Sequence, residues 1–231
     1  MARLKLIILS FRAFLPVALF LGGPTTAHAL DDLQGWFQFI TQKRLGDTPF
    51  TAQLELQPRY SDDQKTFNLN LIRPSLNYQA SKHIAIALGY LQLRDEDLIE
   101  RESRIWGQTT HRLQLEELSF ASRLRVESRR WSDTSGDSDG WRARFQTRLT
   151  FDGALDPFSP FITDEIFYEL DALPSRSVGG LNQNRLFLGV STKLNDAFTA
   201  EISAFHVNQV RDQPQSDLNA FGLLIAILHT W

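Results

Sequence analysis

The feature that most constrains this chain is a succession of segments, about ten to fourteen residues each, in which apolar and polar side chains alternate as strands require. Consecutive side chains of a strand point to opposite faces, so each segment carries two chemically different faces. The cleanest spans 118–131: Leu118, Phe120, Leu124 and Val126 share one face, Arg123, Arg125, Glu127 and Arg129 the other. In 141–151, Trp141, Ala143, Phe145, Leu149 and Phe151 oppose Arg142, Arg144, Gln146 and Arg148; in 51–59, Ala52, Leu54 and Leu56 oppose Gln53, Glu55, Gln57 and Arg59. Further strands are expected at 33–44, 66–79, 83–93, 103–116, 159–170, 184–194, 198–208 and 218–231, with a bulge or face switch at Pro74.

A soluble sandwich also alternates, but its inner face is apolar and its outer face mixed. Here a purely apolar face opposes a face with arginine at every second position. Both make sense if the apolar face meets lipid and the charged face lines a barrel interior. The fold expected is therefore all-β, an antiparallel transmembrane barrel of 10–12 strands. Arginine holds a planar fork of donors suited to crowded ion pairs, which accounts for seventeen Arg against four Lys in residues 30–231. Trp36, Tyr60, Tyr78, Tyr90, Trp131, Trp141 and Trp231 stand near strand ends, as interfacial aromatic girdles require.

Residues 1–29 read as an export signal: Arg3 and Lys5 lead an apolar stretch, and Ala27-His28-Ala29 forms a small-x-small cleavage pattern. Arg12 interrupts the stretch, which argues against a retained membrane helix. The barrel is then 30–231, a Gram-negative outer-membrane protein carrying 21 basic and 27 acidic residues. Without cysteine it must close by packing and backbone pairing, and its acidic balance argues against nucleic acid as a partner.

Connections alternate in length. Short ones fall near 46–49, 80–82, 116–117, 153–157 and 195–197; longer polar stretches cover 94–102, 132–140, 171–183 and 210–217. Short turns belong to the periplasmic side and long loops to the outside. Eleven candidate strands conflict with the even numbers of bacterial single-chain barrels, so either 33–44 folds inward, leaving ten, or there are twelve. Ile225, Ile227 and Trp231 end the sequence in an alternating row with an aromatic last, similar to the signal read by barrel-assembly machinery.

Several motifs occur in order: Glu102-Ser103-Arg104-Ile105-Trp106-Gly107-Gln108, Arg123-Leu124-Arg125-Val126-Glu127-Ser128-Arg129, Trp141-Arg142-Ala143-Arg144-Phe145, Asp164-Glu165-Ile166-Phe167 and Gln183-Asn184-Arg185-Leu186. Together they resemble the DUF2490 family, uncharacterised bacterial proteins expected to be outer-membrane barrels. Gly107 stands where that family is expected to have a second glutamine. The resemblance implies a fold and a location, but no reaction.

The candidate lumen set is Arg104, Arg123, Arg125, Glu127, Arg129, Arg142, Arg144, Arg148, Glu165, Glu169 and Arg185. It reads either as an ion-pair network filling a narrow barrel or as a cationic constriction for small anionic solutes. Outer-membrane lipid and the assembly machinery are the other partners expected; no cofactor or metal is. A lipid hydrolase would need a Ser or Thr beside a His base. Strand parity places His83 in a turn and His111, His206 and His229 outward; His111 near Thr109 or Thr110 is the one tempting neighbour, so no enzyme is expected. Asp133, Asp137 and Asp139 lack the spacing of an EF-hand and read as a solvated loop.

Overall fold

The computed structural model describes residues 30–61, 66–95, 100–133, 136–171, 178–211 and 217–231; the expected signal at 1–29 lies outside them. Among the described residues eleven strands follow in chain order: β1 (Leu30–Arg44), β2 (Phe50–Ser61), β3 (Thr66–Gln79), β4 (Ile84–Asp95), β5 (Glu100–Leu115), β6 (Leu118–Asp133), β7 (Gly136–Phe151), β8 (Phe158–Glu169), β9 (Gly180–Lys193), β10 (Phe198–Gln209) and β11 (Leu218–Thr230). They form a closed barrel in which every strand pairs with its sequence neighbours and β1 meets β11.

Consecutive pairs are antiparallel, whereas β1 and β11 run parallel from Leu30 opposite Leu218 to Gln42 opposite Thr230. An odd ring of alternating strands brings its two ends together pointing the same way, so one seam must be parallel. The first segment is thus neither folded into the lumen nor joined by a twelfth strand; it is wall. Trp231 extends the seam, donating its backbone N–H to Gln42 O at 3.0 Å.

Alternation resolves into two environments. Leu124, Val126, Trp141 and Phe145 are exposed outside, with Leu88 and Ile105 on the same outer wall at 67% and 69% exposure. Arg125, Glu127, Arg129, Arg142 and Arg144 are buried inside. So many bare large apolar side chains exceed what a monomeric soluble surface carries.

Three expectations are corrected. Pro74 pairs with Leu54 in unbroken β2–β3 register, and the irregularity falls at Arg59/Tyr60. Proline lacks an N–H, and the β3–β4 register is the same on either side of it, so Arg73 stays inward. Of the expected long stretches at 94–102 and 132–140, Arg94–Asp95 belong to β4, Glu100–Glu102 to β5, Ser132–Asp133 to β6 and Gly136–Gly140 to β7. Trp36 belongs to no girdle: it is 4% exposed inside the barrel, clustered with Phe161, Phe187, Phe205 and Val207. Trp131 shares the inward parity of Glu127 and Arg129, whereas Tyr78, Tyr90, Trp141 and Trp231 are exposed.

A second inward apolar cluster joins Leu71, Ala87, Leu91, Leu93 and Trp106. Glycine makes room for these rings. A Cβ on Gly89 would lie 2.2 Å from the Trp106 ring, and one on Gly222 2.4 Å from the Phe205 ring, so only a bare backbone lets each ring lie against the wall.

Candidate functional site

The interior charges are set by strand parity, since every second residue of β5 to β9 faces inward. Glu127 on β6 is completely buried and accepts hydrogen bonds from Arg142 Nη2 at 2.5 Å and Arg144 Nη1 at 2.8 Å. Arg104 and Arg125 stand further off, at 3.6 and 3.7 Å. Glu165 takes Arg144 and Arg123, at 2.8 and 2.6 Å. Glu102 takes a forked pair from Arg104 and a third bond from Arg129, whose Nη1 reaches on to Glu169 at 2.8 Å. Arg148 makes a forked pair with Glu201 across the lumen, at 2.7 and 3.0 Å. Forked arginine–carboxylate pairs fix geometry as well as charge, so this lattice ties β5 to β8 and β10 together from inside.

All eleven candidate lumen residues therefore face the interior, and ten of them join by ion pairs. Arg185 is the exception: its guanidinium lies over the Phe167 and Trp36 rings, at 4.6 and 5.2 Å, and its Nε has no hydrogen-bond partner. Arg59 stacks on Trp36 at 3.9 Å and, among the described residues, bonds the Gln57 amide. Neither has a carboxylate within ion-pair distance among the described residues. Arg125 stacks on Trp106 at 4.1 Å, and Arg148 on Phe161 at 3.8 Å. Ring faces attract cations by their quadrupoles, so aromatic rings stand beside Arg59 and Arg185, which form no ion pair among the described residues.

The candidate set lacked Glu55, Arg59, Arg73, Glu102 and Glu201, all of them interior. Arg73 bonds Glu55 at 2.7 Å, and Glu55 also accepts from Gln38 Nε2 at 2.8 Å.

The interior divides along its axis. Toward the long connections, Glu102, Glu127, Arg129, Arg142, Glu169, Asn182 and Gln183 are all buried and pack the lumen. Toward the short turns a cavity of about 1090 Å³ reaches the rim at Arg44, Gln79, Lys82 and Gln114. Ten of its described lining residues are Arg or Lys, against three carboxylates, Glu55, Glu165 and Glu201. The arrangement is a cationic cup floored by Arg59, Arg125, Arg144 and Arg185.

The histidines sit elsewhere. His83 is in a turn, its Nδ1 3.0 Å from Arg112 O, with the His111 ring 6.3 Å away. His206 Nε2 meets Asn219 Oδ1 at 2.6 Å, and His229 Nδ1 meets Thr41 Oγ1 at 3.2 Å beside Trp231. Thr110 faces inward, away from His111, and takes a hydrogen bond from Gln108. Asp137 and Asp139 lie on β7, exposed, with Arg130 3.8 and 3.5 Å away; no group of three or more metal-ligating side chains occurs among the described residues.

These features define a closed all-β barrel with an apolar outer wall and a charged interior. One solved structure, a NanC porin in a rhombohedral crystal form, superposes with a TM-score of 0.54 at 13% identity, covering 81% of this chain and 93% of that one. The family model described as a protein of unknown function, DUF2490, matches residues 33–219, and the chain belongs to that family. Comparison with curated proteins finds no match.

Proposed function

We propose that this protein is a non-enzymatic barrel of the Gram-negative outer membrane that draws small anionic solutes into its cationic cup and passes them at low conductance. The observation that carries the reading is the pair Arg59 and Arg185, two interior cations against Trp36 that form no ion pair among the described residues. A guanidinium that lines a cavity and forms no ion pair among the described residues offers a site to an anion, as in arginine-lined pores. The bare apolar wall supports placement in a bilayer, and the short-turn end, where the cup opens, then faces the periplasm. Reversal potential across a planar bilayer under a potassium chloride gradient tests the reading.

A second reading takes the lattice as filling alone, favoured by the complete burial of Glu127. It predicts no conductance. An outer-membrane lipid hydrolase is a third, resting on the Thr41–His229 pair. No carboxylate or amide orients His229 among its described contacts, which are Thr41, Phe198 and Trp231. Catalysis would need such a third partner, and loss of phospholipid hydrolysis on Thr41→Ala is its test.

A further inference from the structure

The cup changes character where the parallel seam lines it. There Trp36 stands opposite Leu224, Gln38 opposite Ala226 and Ile40 opposite Leu228, and all six line the cavity. They share inward parity, since Phe37, Phe39, Leu223 and Ile225 between them are exposed on the outer wall. Five of the six are apolar and form a strip from Trp36 toward the rim. Spanning four residues of strand, it is about 13 Å long. Ile40, Leu224 and Leu228 are only partly buried, so the strip presents bare hydrocarbon to the lumen. Gln38, its one polar member, donates to Glu55. The carboxylates on the flanking strands are engaged too, Glu55 by Arg73 and Glu201 by Arg148. β6 lies across the lumen, five strands from β1 and five from β11, and brings Arg123 and Arg125 to the lining.

We infer that the anion this cup takes is amphiphilic, a small carboxylate carrying an aromatic or alkyl flank. The inference rests on the anion reading above and names its substrate class. The strip starts at the floor, where Arg59 and Arg185 both lie against Trp36 and form no ion pair among the described residues. Both arginines are partly exposed in the lumen, and Leu224 packs against the cluster that holds Trp36. A carboxylate bonded by these two guanidiniums has its substituent beside Leu224, and the strip carries that substituent on past Ile40 and Leu228. An inorganic anion uses the floor alone and leaves the strip facing water. Sites for small organic molecules combine apolar lining with a few placed polar groups, as this cup does along the seam.

Titration calorimetry on the refolded protein in lipid nanodiscs, with the heat of partition into empty nanodiscs subtracted, tests this with benzoate, acetate and benzamide. Benzoate should bind at least tenfold tighter than acetate, which has the charge without the flank, and than benzamide, which has the flank without the charge. Leu224→Asn with Leu228→Asn should bring benzoate down to the level of acetate. Arg59→Gln with Arg185→Gln should weaken both anions. Acetate or benzamide binding as tightly as benzoate overturns the inference, and that comparison uses the parent protein alone. An undiminished benzoate preference in either double variant, in protein that keeps the heat-modifiable folded band, overturns it too. A reversal potential on the chloride side with equal binding of benzoate and acetate overturns this inference alone. A tenfold benzoate preference without chloride current overturns the conduction reading alone.

Discussion

Glu127 and Arg142, fifteen residues apart on adjacent strands, meet at 2.5 Å inside the barrel, and no part of Glu127 touches solvent. Arg144 completes the contact from the same strand. Breaking a desolvated pair by removing one partner typically costs roughly 3–5 kcal/mol, because the remaining charge stays buried. Glu127→Ala should therefore lower the temperature at which the folded band melts in detergent gels. Glu127→Arg should lower it further through repulsion with Arg142 and Arg144. Parental melting of Glu127→Ala would show that the lattice contributes no stability.

Gly89 and Gly107 make a paired test of inward packing. A Cβ on Gly89 would collide with the Trp106 ring and with Pro74 O at 2.8 Å, whereas one on Gly107 meets only Leu88, at 3.6 Å. Overpacking typically costs about 1–3 kcal/mol. Gly89→Ala is expected to destabilise by that order and Gly107→Ala by less than about 0.5 kcal/mol, as surface changes do. Equal melting of the two variants would contradict the placement of Trp106.

Trp231 joins the parallel seam through its backbone to Gln42, its indole N–H to Thr41 Oγ1 at 3.0 Å, and its ring to Lys43. Trp231→Ala should reduce folded protein in the outer-membrane fraction and raise periplasmic fragments, measured by fractionation and blotting. Unchanged levels would remove any role for this residue in assembly.

Strict alternation made β6 and β7 legible in the sequence, and with them the inward course of Arg123 to Arg129 and Arg142 to Arg148. Where alternation was obscured, the reading failed for identifiable reasons. Arg73 was missed because Pro74 was expected to switch faces, yet a proline costs one donor without shifting register. Glu102 was missed because the residues around it are polar enough to pass for a loop. Trp36 shares the parity of Gln34 and Gln38 and opposes Phe37 and Phe39, so its inward course was written in the sequence but overridden by the girdle expectation. β11 is apolar on both faces, with Ala220, Leu224 and Ala226 inside and Phe221, Leu223 and Ile225 outside, so periodicity could not orient it. Nothing in alternation encodes strand direction; the parallel seam followed only from the odd count.

Arg148 and Glu201 span the cup as a forked, partly solvated pair, unlike the sealed Glu127 contacts. Solvation weakens such pairs to about 0–1 kcal/mol. Glu201→Gln should leave melting nearly unchanged while freeing Arg148 and increasing anion binding in the cup, read as greater protection from melting by added phosphate. Equal protection of parent and variant would show that the cup does not hold anions there.

The most direct test of the central claim is the reversal potential of the refolded protein in a planar bilayer under a potassium chloride gradient. The account predicts small unitary conductance with a reversal potential on the chloride side, shifted toward zero when Arg59 and Arg185 are both changed to Gln. Absence of conductance, or a reversal potential on the potassium side in the parent protein, would contradict it.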